Sequence, residues 1–156
     1  MLGKVSGGMR LPVNQRSGAS QTDFRDAASR HYDDGDLLWK HDRWPNADQL
    51  FGLAAECGLK AIMQAFGMKT TAVGVPQNKK YRVHIDKLWL EFHAFADRRV
   101  PSHYASRLPK ENPFTDWSVD QRYYRRDAIS KKDASAHRDA ALRVLEVLEN
   151  VKVDGL

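Results

Sequence analysis

The sequence predicts an all-α fold, a bundle of four to five helices with one long proline-containing loop. Apolar residues recur at three- and four-residue steps over four stretches, residues that start and stop helices bracket those stretches, and no strand-rich region or internal repeat is evident. A chain of 156 residues is the size of one domain and can bury most of the surface its unfolded form exposes.

Residues 1–20 carry four glycines, one proline and scattered apolar residues without period, and are read as a flexible N-terminal tail ahead of a domain spanning 21–156. From about Thr22, the residues Phe24, Ala28, His31, Gly35 and Leu38 trace one apolar stripe to Lys40, the first helix. Pro45 suits the first turn of the second helix, where its missing N–H has no partner to lose, and no breaker intervenes until Gly67. Leu50, Ala54, Cys57 and Ala61 form one stripe of that helix, and Phe51, Ala55, Ile62 and Phe66 a second. A helix apolar over most of its circumference belongs at a bundle centre. Its small residues Gly52, Ala54, Ala55, Gly58 and Ala61 allow close helix approach.

A connection over 67–82 leads to Ile85, Leu88, Trp89, Phe92 and Ala96, which mark a third helix ending near Arg99. Pro101, Pro109 and Pro113 keep the next stretch from forming one long helix. Ser130 and Asp133 have the spacing of a capping pair, and Ala134, Ala141, Val144, Leu145, Leu148 and Val151 trace the last long helix.

Composition narrows the function classes. Hydrophobic residues are 42% and charged residues 29%, the balance of a globular chain. No segment has the apolar length of a signal peptide core or a membrane span, so secretion and membrane insertion are not expected. Cys57 is the single cysteine, which excludes an intramolecular disulfide and a cysteine metal cluster and fits a reducing cytoplasm. The formal charge of +5 is uneven: residues 98–138 hold ten basic against five acidic residues. Such asymmetry suits attraction to RNA or another polyanion, although a solvated face reads the same way.

Three segments carry a family resemblance. RHYDDGDLLWKHDRWPNADQLFGLAAECGLKAIM, residues 30–63, resembles the first two helices of HEPN domains. HIDKLW at 84–89 is similar to the start of their third helix, and DWSVDQRYY at 116–124 to a Trp and Arg-Tyr segment of part of that superfamily. The order and spacing of the three, across roughly residues 22–151, give the match its specificity. The resemblance implies a HEPN-like helical bundle, frequently a homodimer. It also implies a role among RNA-cleaving toxins, partners of minimal nucleotidyltransferases in toxin–antitoxin pairs, or antiviral defence proteins.

Ribonuclease members of the family carry an Arg followed four to six residues later by His near the start of the last helix. This chain departs from that pattern, because His137 follows Arg126 by eleven positions. Arg25 with His31 and Arg98 with His103 satisfy the spacing elsewhere and are the weak catalytic candidates.

Other residues carry a functional and a plainer reading side by side. Glu56 and Lys60, four apart on the second helix, face either a ligand cleft or solvent as a surface ion pair, and burial of Glu56 would favour the first. Gln49 and Gln64 extend their stripe. Arg122, Arg125 and Arg126 surround Tyr123 and Tyr124 just after Trp117, a mixture suited to phosphate contact and base stacking, or to Trp117 in the core and solvated arginines. His84 is a candidate base and, more plainly, a capping or core-edge residue; His93 and His137 are read the same way. No HExxH, GxxxxGK[ST] or GxGxxG pattern is present, so neither metal nor cofactor is expected. The expectation is a HEPN-like protein that binds RNA, a nucleotide or a partner protein. The alternatives are a metal-independent endoribonuclease with an atypical Arg/His site and a purely structural dimeric interaction module.

Overall fold

The structure, a computed structural model, describes residues 20–156; the expected N-terminal tail lies outside the described residues except for Ser20. Five α-helices run in order: α1 Phe24–Lys40, α2 Trp44–Ala65, α3 Ile85–Arg99, the short α4 Ser102–Ala105, and α5 Lys131–Val153. Among the described residues the extended pairing amounts to one isolated bridge, Thr70 to Pro76. No helix among them is long and apolar enough to cross a membrane.

Local chemistry sets each boundary. Asp23 caps α1 by accepting a hydrogen bond from the Asp26 N–H at 3.0 Å. Asp42 turns the chain at φ 59°, a left-handed conformation that Asp tolerates better than most residues. α2 starts at Trp44, one residue before the expected Pro45, and ends at Ala65, with Gly67 at φ 102° reversing the chain. Ser130 and Asp133 form a full capping box at the start of α5: the Ser130 hydroxyl accepts from the Asp133 N–H at 3.2 Å, and the Asp133 carboxylate accepts from the Ser130 N–H at 3.0 Å.

α2 lies at the centre, packed against α1, α5 and α3. Phe51, Leu59, Ile62 and Met63 from α2 meet Leu88, Trp89 and Phe92 from α3 and Val144 from α5 in one core, all fully buried. Each such large side chain contributes on the order of 1.5–3 kcal/mol by leaving water. Glycine permits the closest approaches. A Cβ on Gly58 would stand 2.6 Å from Val144 of α5, and one on Gly52 only 2.0 Å from the indole of Trp117.

The long proline-containing loop between α3 and α5 is partly structured. It contains α4, a 3₁₀ turn at Val119–Tyr123, and a run pinned to α3. The Trp89 indole and the His93 ring both donate to the carbonyl of Pro109, at 3.0 and 2.9 Å, and the Asn112 amide donates to Asp86 O at 2.7 Å. These bonds carry the segment from Phe114 to Tyr123 across the bundle until it packs on α2.

Candidate functional site

Two charged clusters sit on α2, eight residues apart and hence about 12 Å along the helix axis. The first is centred on Asp48, which is fully buried. Its carboxylate receives Nδ1 of His137 on α5 at 2.6 Å, while Nε2 of the same ring reaches Asp116 at 2.9 Å. His137 is 1% exposed and its ring stacks on Phe114 at 5.1 Å. Burial alone would lower the pKa of this imidazole. The hydrogen bonds and charges of Asp48 and then Asp116 outweigh it and raise the pKa above the usual histidine value. The neighbouring Trp117 indole donates to Asp48 O at 3.0 Å and lies in the space left by Gly52.

The second cluster is Glu56, Lys60 and His84. Lys60 Nζ stands 2.7 Å from Glu56 Oε1, and His84 Nδ1 stands 2.9 Å from Glu56 Oε2. Glu56 is 9% exposed and Lys60 7%, so the surface ion pair considered for them does not form; the pair is interior, where a charge needs a partner. His84 occupies the N-cap position of α3 but its side chain makes no capping bond. Its ring instead turns to α2, and 48% of the side chain remains exposed. Nδ1 faces Glu56, and among the described residues Nε2 makes no side-chain hydrogen bond. Trp117 lies alongside, with ring centroids 6.4 Å apart.

Cys57, next to Glu56, is a poor nucleophile on chemical grounds, since burial pushes its thiol up to about 11. His31 of α1 lies within electrostatic reach of Glu56. Burial and then Arg30 lower its pKa, against smaller raising effects of Asp34 and Glu56, and its Nδ1 is buried without a hydrogen-bond partner among the described residues.

Among the described residues no hydrogen bond joins either Arg/His pair chosen by spacing. The Arg25 guanidinium donates to the main-chain oxygen of Leu156, away from His31. His103 is exposed and packs on Tyr104, with centroids 4.0 Å apart, while Arg98 borders a depression with Lys80 and Tyr81.

The basic aromatic segment divides in the same way. Trp117 is buried, so it offers no face for stacking. Arg122 lies over its own neighbour Tyr123 at 4.8 Å, and Arg125 pairs with Asp127 at 3.3 Å. Tyr124 and Arg126 instead join Asp42, Arg43, Pro45 and Asn46 around a cleft of about 300 Å³ at the start of α2. Tyr124 is 53% exposed there.

Sequence reasoning missed Asp48, Asp116 and the role of His137. His137 and Asp48 are 89 positions apart, and neither belongs to a short motif. The one local signal is polarity on otherwise apolar faces of α2 and α5. Fold and site together define an all-helical bundle whose central helix carries two charged clusters, one closed around buried Asp48 and one open at His84. Comparison with protein-family models, curated proteins and solved structures finds no match.

Proposed function

We propose that the chain is a HEPN-like protein that binds RNA or a nucleotide, acts as a homodimer, and works in a toxin–antitoxin or antiviral defence setting. In such a setting a nucleotidyltransferase is the natural protein partner. The observation that carries the binding reading is the cleft at the start of α2. Arg43 and Arg126 supply two guanidinium groups for phosphates, Tyr124 a half-exposed ring for a base, and Asn46 an amide for polar contact. The three resembling segments lie in α1 and α2, at the start of α3, and in the run that packs on α2, so they bear on one side-chain assembly.

The test is single-stranded RNA binding followed by fluorescence anisotropy across a salt series. Arg43→Ala combined with Arg126→Ala should weaken binding and flatten its salt dependence by roughly 0.7 for each phosphate no longer neutralised. Tyr124→Ala should weaken binding by ~1 to 3 kcal/mol with little change in slope. Parent-like binding by both folded variants would remove the cleft as the RNA site.

A second reading, a metal-independent endoribonuclease, is favoured by the Glu56–His84 pair. Glu56 fixes the ring through Nδ1, and Nε2 can take the proton of a 2′-hydroxyl as its oxygen bonds to the neighbouring phosphorus and the P–O5′ bond breaks, the departing 5′ oxygen taking a proton from water. This replaces the Arg/His site expected from spacing. Cleavage of RNA in EDTA that His84→Ala abolishes is its signature. A chain that neither binds nor cleaves RNA is the dimeric interaction module.

A further inference from the structure

We infer that the α2–α3 connection and the C-terminal turn of α3 form a second anion-binding groove, suited to a linear phosphate chain. It shares no residue with the cleft or with either cluster on α2.

The connection is tightly built. Gln77 N–H donates to Lys69 O at 2.9 Å, Asn78 caps the 3₁₀ turn Lys79–Tyr81, and the Arg82 guanidinium donates to Pro76 O at 2.7 Å and Gln77 O at 3.2 Å. Arg82 therefore acts as an internal staple. The remaining cations point elsewhere. Lys69 and Lys80 from the connection, with Arg98 and Arg99 from α3, border two adjoining depressions of about 220 and 520 Å³ that share Asn78, Tyr81 and Arg99. Lys79 belongs to the same 3₁₀ turn as Lys80 and Tyr81. The floor is aromatic and fixed: Tyr81 meets buried Phe95 edge-on at 5.8 Å, and the Arg99 guanidinium stands 5.1 Å from the Phe95 ring centre.

Two carboxylates, Glu91 and Asp97, also border the larger depression. Four cations thus stand against two anions, and among the described residues none of the four makes an ion pair. Basic residues in the last turn of a helix complement its dipole, which accounts for Arg98 and Arg99. It does not account for Lys69 and Lys80, which belong to another element. Like charges gathered around a concavity repel one another, and a bound polyanion relieves the repulsion. Adjoining depressions fit an elongated ligand better than a single ion. The one aromatic ring shared by both depressions is half-buried Tyr81, so recognition falls on phosphates more than on bases.

The ligand is either a nucleic-acid backbone or inorganic polyphosphate, and binding of a labelled oligouridylate and of polyphosphate of similar length distinguishes them. The full chain is compared with Lys80→Glu/Arg98→Glu, both exposed positions, and with Arg43→Ala/Arg126→Ala in the other cleft, with melting curves as the folding control. The groove predicts at least a tenfold loss of affinity in the charge-reversed variant. For the oligonucleotide it also predicts a salt slope shallower by roughly 1.4, the value for two phosphates no longer neutralised. Loss for both ligands assigns a general phosphate-chain site, and loss for one alone assigns that source. If the parent binds neither ligand, or the folded charge-reversed variant binds both as the parent does at every salt concentration, the groove is overturned. Loss in the groove variant with parent-like binding in the cleft variant upholds the groove and sinks the cleft; the reverse sinks the groove alone.

Discussion

The two ion clusters on α2 use the same chemistry to different ends. In each, an α2 carboxylate holds a histidine from another element by its Nδ1, at 2.6 Å for Asp48 and His137 and 2.9 Å for Glu56 and His84. The first is closed: both ring nitrogens of His137 are engaged, and the ring is covered by Phe114. The second is open, because His84 keeps an unengaged nitrogen and nearly half its side-chain surface in solvent. A closed cluster ties α2, α5 and the Asp116–Trp117 run together. The open one leaves His84 accessible from solvent, while Lys60 holds the other oxygen of Glu56 at 2.7 Å. Partner number and exposure, more than the pairing itself, distinguish the two histidines.

The largest effect should come from opening the closed cluster. His137→Ala leaves buried Asp48 without its partner, and breaking a buried pair costs about 3–5 kcal/mol. Thermal unfolding should show a fall of roughly 10 °C, since 1 kcal/mol shifts a chain of this size by about 2–4 °C. Next is Gly52→Ala, whose new methyl would overlap Trp117 and displace the indole from Asp48 O. Overpacking of this kind costs roughly 3 kcal/mol, and Trp fluorescence should shift with it. Gly58→Leu, pressed against Val144, should cost about 1–3 kcal/mol by the same measurement.

A smaller effect is the dependence of stability on pH. The pKa of His137 is raised on folding, so its contribution is fully present below about 6.5 and lost as pH rises through the higher folded value. Asp36 behaves oppositely. Burial opposes its ionisation, but hydrogen bonds from Lys40 and Arg138, with their charges, depress its pKa, so its contribution is present above the usual carboxylate value and lost in acid. Melting temperature should therefore fall on both sides of a middle range. The alkaline fall should be reduced in His137→Gln, and an unchanged alkaline limb would show that the ring is not protonated in the fold.

The helices are legible in the sequence because their signals are local. The apolar period, Pro45, Gly67 and the Ser130–Asp133 cap each act within a few residues, and α3 spans the expected Ile85–Arg99. The sequence allows a partly structured loop between α3 and α5, but which residues order it is not legible, because α4 and the Val119–Tyr123 turn are short and the loop is held by bonds to distant carbonyls. Glu56 and Lys60 can be paired from their four-residue spacing, but their burial and the approach of His84 depend on how α3 is set against α2. Asp48, Asp116 and His137 are invisible as a group, since contacts across 21 and 89 positions leave no local pattern.

The most direct test of the contrast compares His84→Ala with His137→Ala in paired measurements of melting temperature and of RNA binding and cleavage in EDTA. His84→Ala should melt within about 3 °C of the parent, because its side chain is half exposed and makes a single bond, yet lose cleavage or ligand affinity. His137→Ala should melt roughly 10 °C lower. Equal destabilisation by the two substitutions, or full RNA activity in folded His84→Ala, would contradict the division of α2 into a closed structural cluster and an open functional one.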